Sequence, residues 1–398
     1  MIEDVFATAP IGHVSVPRAG GDAAMSVIGP RDLADAWDEI TLWEGYAPTP
    51  LVDLNGLAAE IGVGAIHYKD EGPRFGLGSF KALGGAYAAL RLLGRELSRQ
   101  LGREVPLAEI RQGRHRDACA RITLVSATDG NHGRSLAWGC RRSGARCRIY
   151  IHAEVSEGRA AAMRDLGAEV IRIEGDYDAS VHLARHEAER NGWFVVSDTS
   201  WEGYTDPPRD VMAGYGVMTQ EVCRALPSPP SHVFLQGGVG GLAAAVAAGL
   251  RQHFGAESPR VVIVEPDRAA CLFESARAGR PTSVEIARET IMAGLSCGEP
   301  SALAWRILRE EAGDFLTIPD ELIAPTMRLL ARGGFGDPVV EAGESAVAGL
   351  AALIAARQSG ALSAALGLDD QARVLLIGSE GVTDPAIFAA MMAGGGDG

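Results

Sequence analysis

Lys81 stands at the head of an Ala-rich amphipathic stretch, directly behind the turn EGPRFGLGSF. A helix N-terminus lowers a lysine's pKa and draws anions, conditions that suit an uncharged amine acting on an aldehyde. Ser79 stands where such a helix would be capped. Lysines are ordinarily solvated surface groups, but Phe80, Ala82 and Leu83 give this one an apolar neighbourhood. In ITLVSATDGNHGRSLAWG a hydrophobic strand runs into Ser126, Ala127, Thr128, Asp129, Gly130 and Asn131 before a helix begins. Amides at such a helix start can hold a carboxylate, and Asp129 is either a cap or a group of the site. HVFLQGGVGGLAAAV repeats the layout with Gly237, Gly238, Val239, Gly240 and Gly241. Glycines let the backbone approach a phosphate at the positive end of a helix. Gly238, Gly240 and Ala243 also fit a dinucleotide fingerprint, with Glu265 near the ribose-binding position, so an NAD enzyme is a second reading. In VLLIGSEGVTDP, Ser379 follows a strand, where a hydroxyl could hydrogen-bond a ring nitrogen without protonating it.

These groups need a scaffold, and the chain alternates Val- and Ile-rich runs with Ala-rich helical stretches from about residue 58 onward. Strands are expected at 122–126, 147–152, 169–173, 193–196, 232–236, 261–265 and 374–378. Helices are expected near 80–100, 131–143, 157–166, 179–191, 210–225, 241–254 and 341–356, with a further helical segment at 32–39. Alternation of this kind predicts an α/β fold of open, twisted, mostly parallel sheets, whose ligands sit at the carboxyl ends of the strands. Three of the four polar loops, those after 122–126, 232–236 and 374–378, fall at such ends.

The 398 residues suffice for two or three domains, and 37 basic against 51 acidic side chains give a net charge of −14. That field repels phosphate backbones and anionic membranes, so no nucleic-acid or membrane partner is expected. The start MIEDVFATAP lacks a signal-peptide pattern, which predicts a cytoplasmic protein. The six cysteines form no CxxC or His-spaced cluster, and no metal site is expected.

Taken in order, Lys81, the SATDGNHG loop, the glycine loop and Ser379 resemble the fold-type II pyridoxal phosphate enzymes, the tryptophan synthase β family, over residues 41–385. EGYAPTPL, GSFKALGGAYA, SATDGNHGR, SDTSWEGYTDPP, AGLSCGEPS, GFGDPVVEAGESAVAGL and GSEGVTDP are most similar to the diaminopropionate ammonia-lyase family within it. The acid before Gly130 is the sharpest mark, because serine and threonine dehydratases usually have none there.

The resemblance implies two open, mostly parallel-sheet domains with pyridoxal 5'-phosphate in the cleft between them. Residues 1–40 would be an extension, 41–88 and 205–398 a large cofactor-binding domain, and 89–204 a small domain. It further implies that Lys81 bonds to the cofactor, Phe80 flanks its ring, Asn131 meets its phenolic oxygen, Gly237 to Gly241 cradle its phosphate, and Ser379 meets its ring nitrogen. Ser126, Thr128, Asp129 and Gly130 would surround an amino acid substrate, and Asp198 would face its distal amine. The implied reaction converts D- and L-2,3-diaminopropionate to pyruvate and two ammonia, with Lys81 as base for the L isomer and Asp129 for the D isomer. A homodimer is typical of the family. A dehydratase of hydroxyaspartate, serine or threonine is the alternative enzyme, and a binding protein without turnover is the alternative from another class. Cys271 and Cys297 flank the implied site entrance, where they could pair.

Overall fold

The Val- and Ile-rich runs assemble into two separate sheets, seen in a computed structural model that describes residues 2–18, 20–128, 130–175 and 177–394. Among the described residues there are eleven strands: β1 Gly12–Ser15, β2 Leu51–Asp53, β3 Ala65–Asp70, β4 Thr123–Ala127, β5 Arg146–Ile151, β6 Glu169–Arg172, β7 Phe194–Val195, β8 His232–Gln236, β9 Arg260–Pro266, β10 Ala312–Ile318 and β11 Arg373–Gly378. They belong to two units: a larger one of Met1–Pro30, Pro48–Ser79 and Met218–Gly398, and a smaller one of Arg31–Ala47 and Phe80–Val217.

The larger unit holds a seven-stranded sheet in the order β1-β10-β9-β8-β11-β3-β2. The five inner strands run parallel, while β1 pairs antiparallel with β10 and β2 antiparallel with β3. Helix Ala348–Gln358 is apolar on nearly every side because it is buried against this sheet's core, with Leu350, Leu353 and Ile354 among residues of β8, β9 and β11. Each such fully buried aliphatic side chain contributes about 1.5–3 kcal/mol. The smaller unit holds an all-parallel, four-stranded sheet in the order β6-β5-β4-β7. Among the described residues no single helix is long and apolar enough to cross a membrane.

Three expectations need correction. The helix expected over 341–356 begins only at Ala348. Its first residues are cross-linking groups instead: Gly343 N–H donates to the Glu380 carbonyl (3.1 Å), and the Ala346 carbonyl accepts from Gln236 Nε2 (2.9 Å). Ser79 does not cap the Lys81 helix, whose N-cap is Phe80; Ser79 pairs with Glu380 in an isolated bridge. Cys271 and Cys297 form no disulfide, and neither do the other four cysteines.

The larger unit also buries four charges together. Arg74 bridges Glu71 and Glu221 through Nη2, 2.7 Å from each, and Lys69 Nζ lies 2.6 Å from Glu221 Oε2. Lys69 also donates to the Thr49 carbonyl, and the Thr49 hydroxyl donates to Glu71 at 2.5 Å. Two cations thus meet two anions with their remaining valences satisfied, the condition under which buried charge is tolerated.

Candidate active site

In the smaller unit, helix Lys81–Leu101 packs on helix Asn131–Ser143, and small residues set the spacing. A methyl group added to Gly85 would lie 2.8 Å from Ser135 Oγ, and one on Gly139 would lie 2.8 Å from Ala86 Cα. Ser135 Oγ accepts the Ala86 N–H at 2.9 Å, so one hydroxyl locks the two helices where they touch. Both helices begin at polar loops of the sequence pattern. Buried β4 delivers Ser126 and Thr128 to its carboxyl end, where Thr128 Oγ1 accepts the Gly130 N–H at 3.1 Å. Asp129 lies outside the described residues.

Lys81 Nζ lies 2.5 Å from Asp198 Oδ2, although 117 positions separate them in sequence. Asp198 is carried by the segment after β7. Burial raises its pKa, but the Lys81 ammonium and His132 outweigh that effect and hold the carboxyl well below the usual range. His132 follows Asn131 and is fully enclosed. Burial lowers its pKa, Asp198 opposes the shift and Lys81 adds to it, so the ring is neutral at neutral pH. Nε2 lies 2.9 Å from the Val196 carbonyl and must carry the proton, which leaves Nδ1 as an unpartnered acceptor 4.0 Å from Asp198. The Phe80 ring is buried against Tyr215, centroids 4.6 Å apart.

In the larger unit the glycine loop joins β8 to helix Gly241–Phe254. Gly237 N–H donates to the Val264 carbonyl (2.7 Å), the Val239 carbonyl accepts from Ser301 N–H (2.9 Å), and Gly240 takes φ +95°, a backbone setting that glycine tolerates. The first amides of the helix have no carbonyl of their own helix to meet and carry its positive end. Ser379 follows β11, buried, beside Glu380, whose Oε1 accepts Ser345 N–H at 3.3 Å. Gln236 closes β8, with Nε2 donating to Ile377 and Ala346 carbonyls and a buried Oε1 without a partner.

The dinucleotide reading required Glu265 to face a ribose. Instead its two oxygens accept the N–H groups of Leu272 (2.9 Å) and Phe273 (2.6 Å) at the start of helix Cys271–Ala278, and the side chain is fully buried. A methyl on Gly237 would sit 2.6 Å from Glu265 Cγ, so the acid packs directly under the glycine loop. Burial pushes its carboxyl up to about 8 against the opposing pull of the two amides. An unfolded glutamate titrates near ~4.3, so the protonated folded form contributes stability that is complete below that pH and is lost as pH rises through about 8. Glu265→Gln keeps the acceptor oxygen without the charge. Thermal melts from pH 5 to pH 8 should therefore show the variant gaining several degrees on the wild type as pH rises, and parallel curves would refute the assignment.

Sequence reading assigned no role to His132, Tyr215 or Gln236. His132 adjoined an assigned residue and could have been weighed with it. Tyr215 reaches Phe80 from a distant helix, and nothing in local spacing announces that contact. Among the described residues no group of His, Cys, Asp and Glu could hold a metal ion.

The model of the pyridoxal-phosphate dependent enzyme family matches residues 42–379. The chain is 40% identical over 347 residues to the diaminopropionate ammonia-lyase of Escherichia coli K12, covering 85% of this chain and 86% of that protein. The crystal structure of holo diaminopropionate ammonia lyase from Escherichia coli is similar at TM-score 0.85 and 34% identity, over 98% of each chain. The same E. coli enzyme in complex with an aminoacrylate-PLP azomethine reaction intermediate is similar at TM-score 0.82, with 34% identity and 98% coverage of each chain. Sequence and fold together define a fold-type II pyridoxal phosphate enzyme, a lyase. Within that class, the chain belongs to the diaminopropionate ammonia-lyase family.

The residues present fit that cofactor. At Gly238 a methyl would come within 3.2 Å of the Gly294 carbonyl and 3.3 Å of Cys297 Sγ, so a side chain at this position would crowd its neighbours, and glycine there lets the backbone come close to a phosphate. Lys81 supplies a primary amine at a helix start, with a carboxylate 2.5 Å away.

Proposed function

We propose that the chain eliminates ammonia from D- and L-2,3-diaminopropionate, consuming one water and yielding pyruvate and two ammonia. The observation that carries this reading is the pair of acceptors formed by Asp198 and neutral His132 Nδ1, 4.0 Å apart. An ammonium can donate to both, whereas a hydroxyl has a single proton to give. A β-amine leaves readily only as ammonium, so the pair suits diaminopropionate better than serine, threonine or hydroxyaspartate.

Lys81 would hold pyridoxal 5'-phosphate through its amine, Phe80 would flank the ring, and Asn131 would meet the phenolic oxygen. Gly237, Gly238, Val239, Gly240 and Gly241 would bind the phosphate, and Ser379 the ring nitrogen. Bound there, the cofactor supplies an electron sink that stabilises negative charge at the substrate Cα. Ser126, Thr128 and Gly130 would orient the substrate carboxylate. Once the incoming substrate frees Lys81, its Nζ takes the Cα proton of the L isomer, while Asp129 takes that of the D isomer from the opposite face. Asp198 and His132 hold the β-ammonium until the Cβ–N bond breaks. In this reading residues 41–88 and 205–398 form the cofactor-binding domain and 89–204 the small domain, bounds that differ from those of the two packing units, which divide at 79/80 and 217/218. The protein would act as a cytoplasmic homodimer, which light scattering can test.

Asp129→Asn should lower kcat/KM for the D isomer by about 10²–10⁴ while most L activity survives. Equal loss on both isomers would contradict two bases. The decisive assay measures oxo acid and ammonia released by the cofactor-loaded protein from each diaminopropionate isomer, with L-serine, L-threonine and hydroxyaspartate in parallel. Two ammonia per pyruvate supports the lyase. Reaction of hydroxy amino acids alone, with one ammonia per oxo acid, would replace it with the dehydratase.

A further inference from the structure

The smaller unit contains a cavity of about 640 Å³ that the reaction above does not use. It is bounded by helix Lys81–Leu101, helix Tyr177–Asn191, β7 and the segment that follows β7. One wall is a tight turn closed by reciprocal backbone hydrogen bonds between Trp201 and Tyr204 (3.3 and 3.0 Å), with Gly203 at φ +80°. The turn stacks the two rings at 4.0 Å and 11°, a fixed aromatic surface continued by Trp193. Arg185 covers the Trp201 ring, its guanidinium carbon 4.3 Å from the centroid.

The cavity's charges divide into engaged and unengaged. Arg95 is paired with Asp210, Arg99 with Glu96, and Asp206 with Arg209. Among the described residues, Arg185, Glu189 and Glu202 have no ion-pair partner although all three line the same space. Arg185 and Glu189 are one helical turn apart on helix Tyr177–Asn191, so their side chains emerge about 5–6 Å from each other. A cation and acids at that spacing, beside an aromatic wall, match a molecule with carboxylate and ammonium on one carbon and a large apolar side chain. We propose that this cavity binds an aromatic α-amino acid as its zwitterion, with the carboxylate on Arg185, the ammonium on Glu189 and Glu202, and the side chain against Trp193 and Tyr204. The Tyr204 hydroxyl donates to the Val195 carbonyl and accepts from Ser197 N–H, both at 3.0 Å. The occupied wall is therefore tied to the residue preceding Asp198.

Isothermal titration of the cofactor-loaded enzyme with L-phenylalanine, with cofactor absorbance followed in parallel, tests the proposal. The expected result is one saturable site per chain that leaves the cofactor absorbance unchanged. Arg185→Met should weaken it by about tenfold or more, and so should the combined Glu189→Gln and Glu202→Gln variant. Both changes are at the surface and should leave turnover intact. 3-Phenylpropionate and phenethylamine, which each lack one charge, should bind at least about tenfold more weakly. No saturable heat, binding that both variants leave unchanged, or 3-phenylpropionate binding as tightly as phenylalanine would overturn it. Binding that shifts the cofactor absorbance and survives Arg185→Met would place phenylalanine at Lys81 and equally overturn it.

Discussion

Lys81→Ala should reduce pyruvate release from both diaminopropionate isomers by about 10⁴-fold or more, the largest catalytic loss of any single substitution. The substitution removes the amine that would hold the cofactor and the base that serves the L isomer. It also leaves the Asp198 carboxylate without the ammonium that lies 2.5 Å from it and keeps its pKa low. Two readouts separate these effects. Borohydride reduction followed by mass measurement should find the cofactor's mass on the wild-type chain and not on the variant. Added methylamine should restore part of the cofactor's absorbance shift but little turnover, because a free amine lacks the position that the helix start provides. A variant that retained a covalent cofactor, or kept more than about a hundredth of wild-type turnover, would remove Lys81 from the site.

The second large effect is on stability. Arg74→Met keeps the volume and the apolar stem but leaves Glu71 and Glu221 buried beside Lys69 without the guanidinium that bridged them. Breaking a buried pair while its partner charges stay costs about 3–5 kcal/mol, so Tm should fall by about 4–6 °C in a chain of this length. Arg74→Lys should recover only part of the loss, because an ammonium cannot reproduce the guanidinium's hydrogen bonds from Nε, Nη1 and Nη2. Scanning calorimetry of the three proteins decides the matter. A fall below about 2 °C would mean that water or a shifted Lys69 already compensates the two acids.

The sequence made the alternating parallel strands legible because β4, β5, β8, β9 and β11 are rich in Val, Ile and Leu and lead directly into helices. It concealed β3 and β10. Lys69 and Asp70 in β3, and Asp314 in β10, read as loop residues by hydropathy. In the fold Lys69 is neutralised by Glu221, and Asp314 by Arg260 at 2.6 Å with His13 at 3.0 Å. Polar strand residues of this kind are satisfied by partners that only tertiary structure supplies. The same applies to the candidate site. Local patterns identified Lys81, Asn131 and the glycine loop, each at the junction of a strand or turn with a helix. The Lys81–Asp198 ion pair arises from folding across 117 positions and the acceptor face of His132 from a contact across 64, and no local motif encodes them.

The edge strand β1 has a consequence for how the chain is made. Its partner is β10, with His13 opposite Leu316 and Gly12 opposite Thr317. During N-to-C synthesis β1 has nothing to pair with until about three hundred more residues have been added. The parallel order of the inner strands imposes a similar wait, since β3 lies beside β11 near the other end of the chain. Such long-range pairings delay completion of the larger sheet until β11 has been made. The smaller unit draws most of its residues from one continuous stretch, Phe80–Val217, and can fold earlier on the ribosome, while residues 1–30 and 48–79 wait for the later strands of the larger sheet.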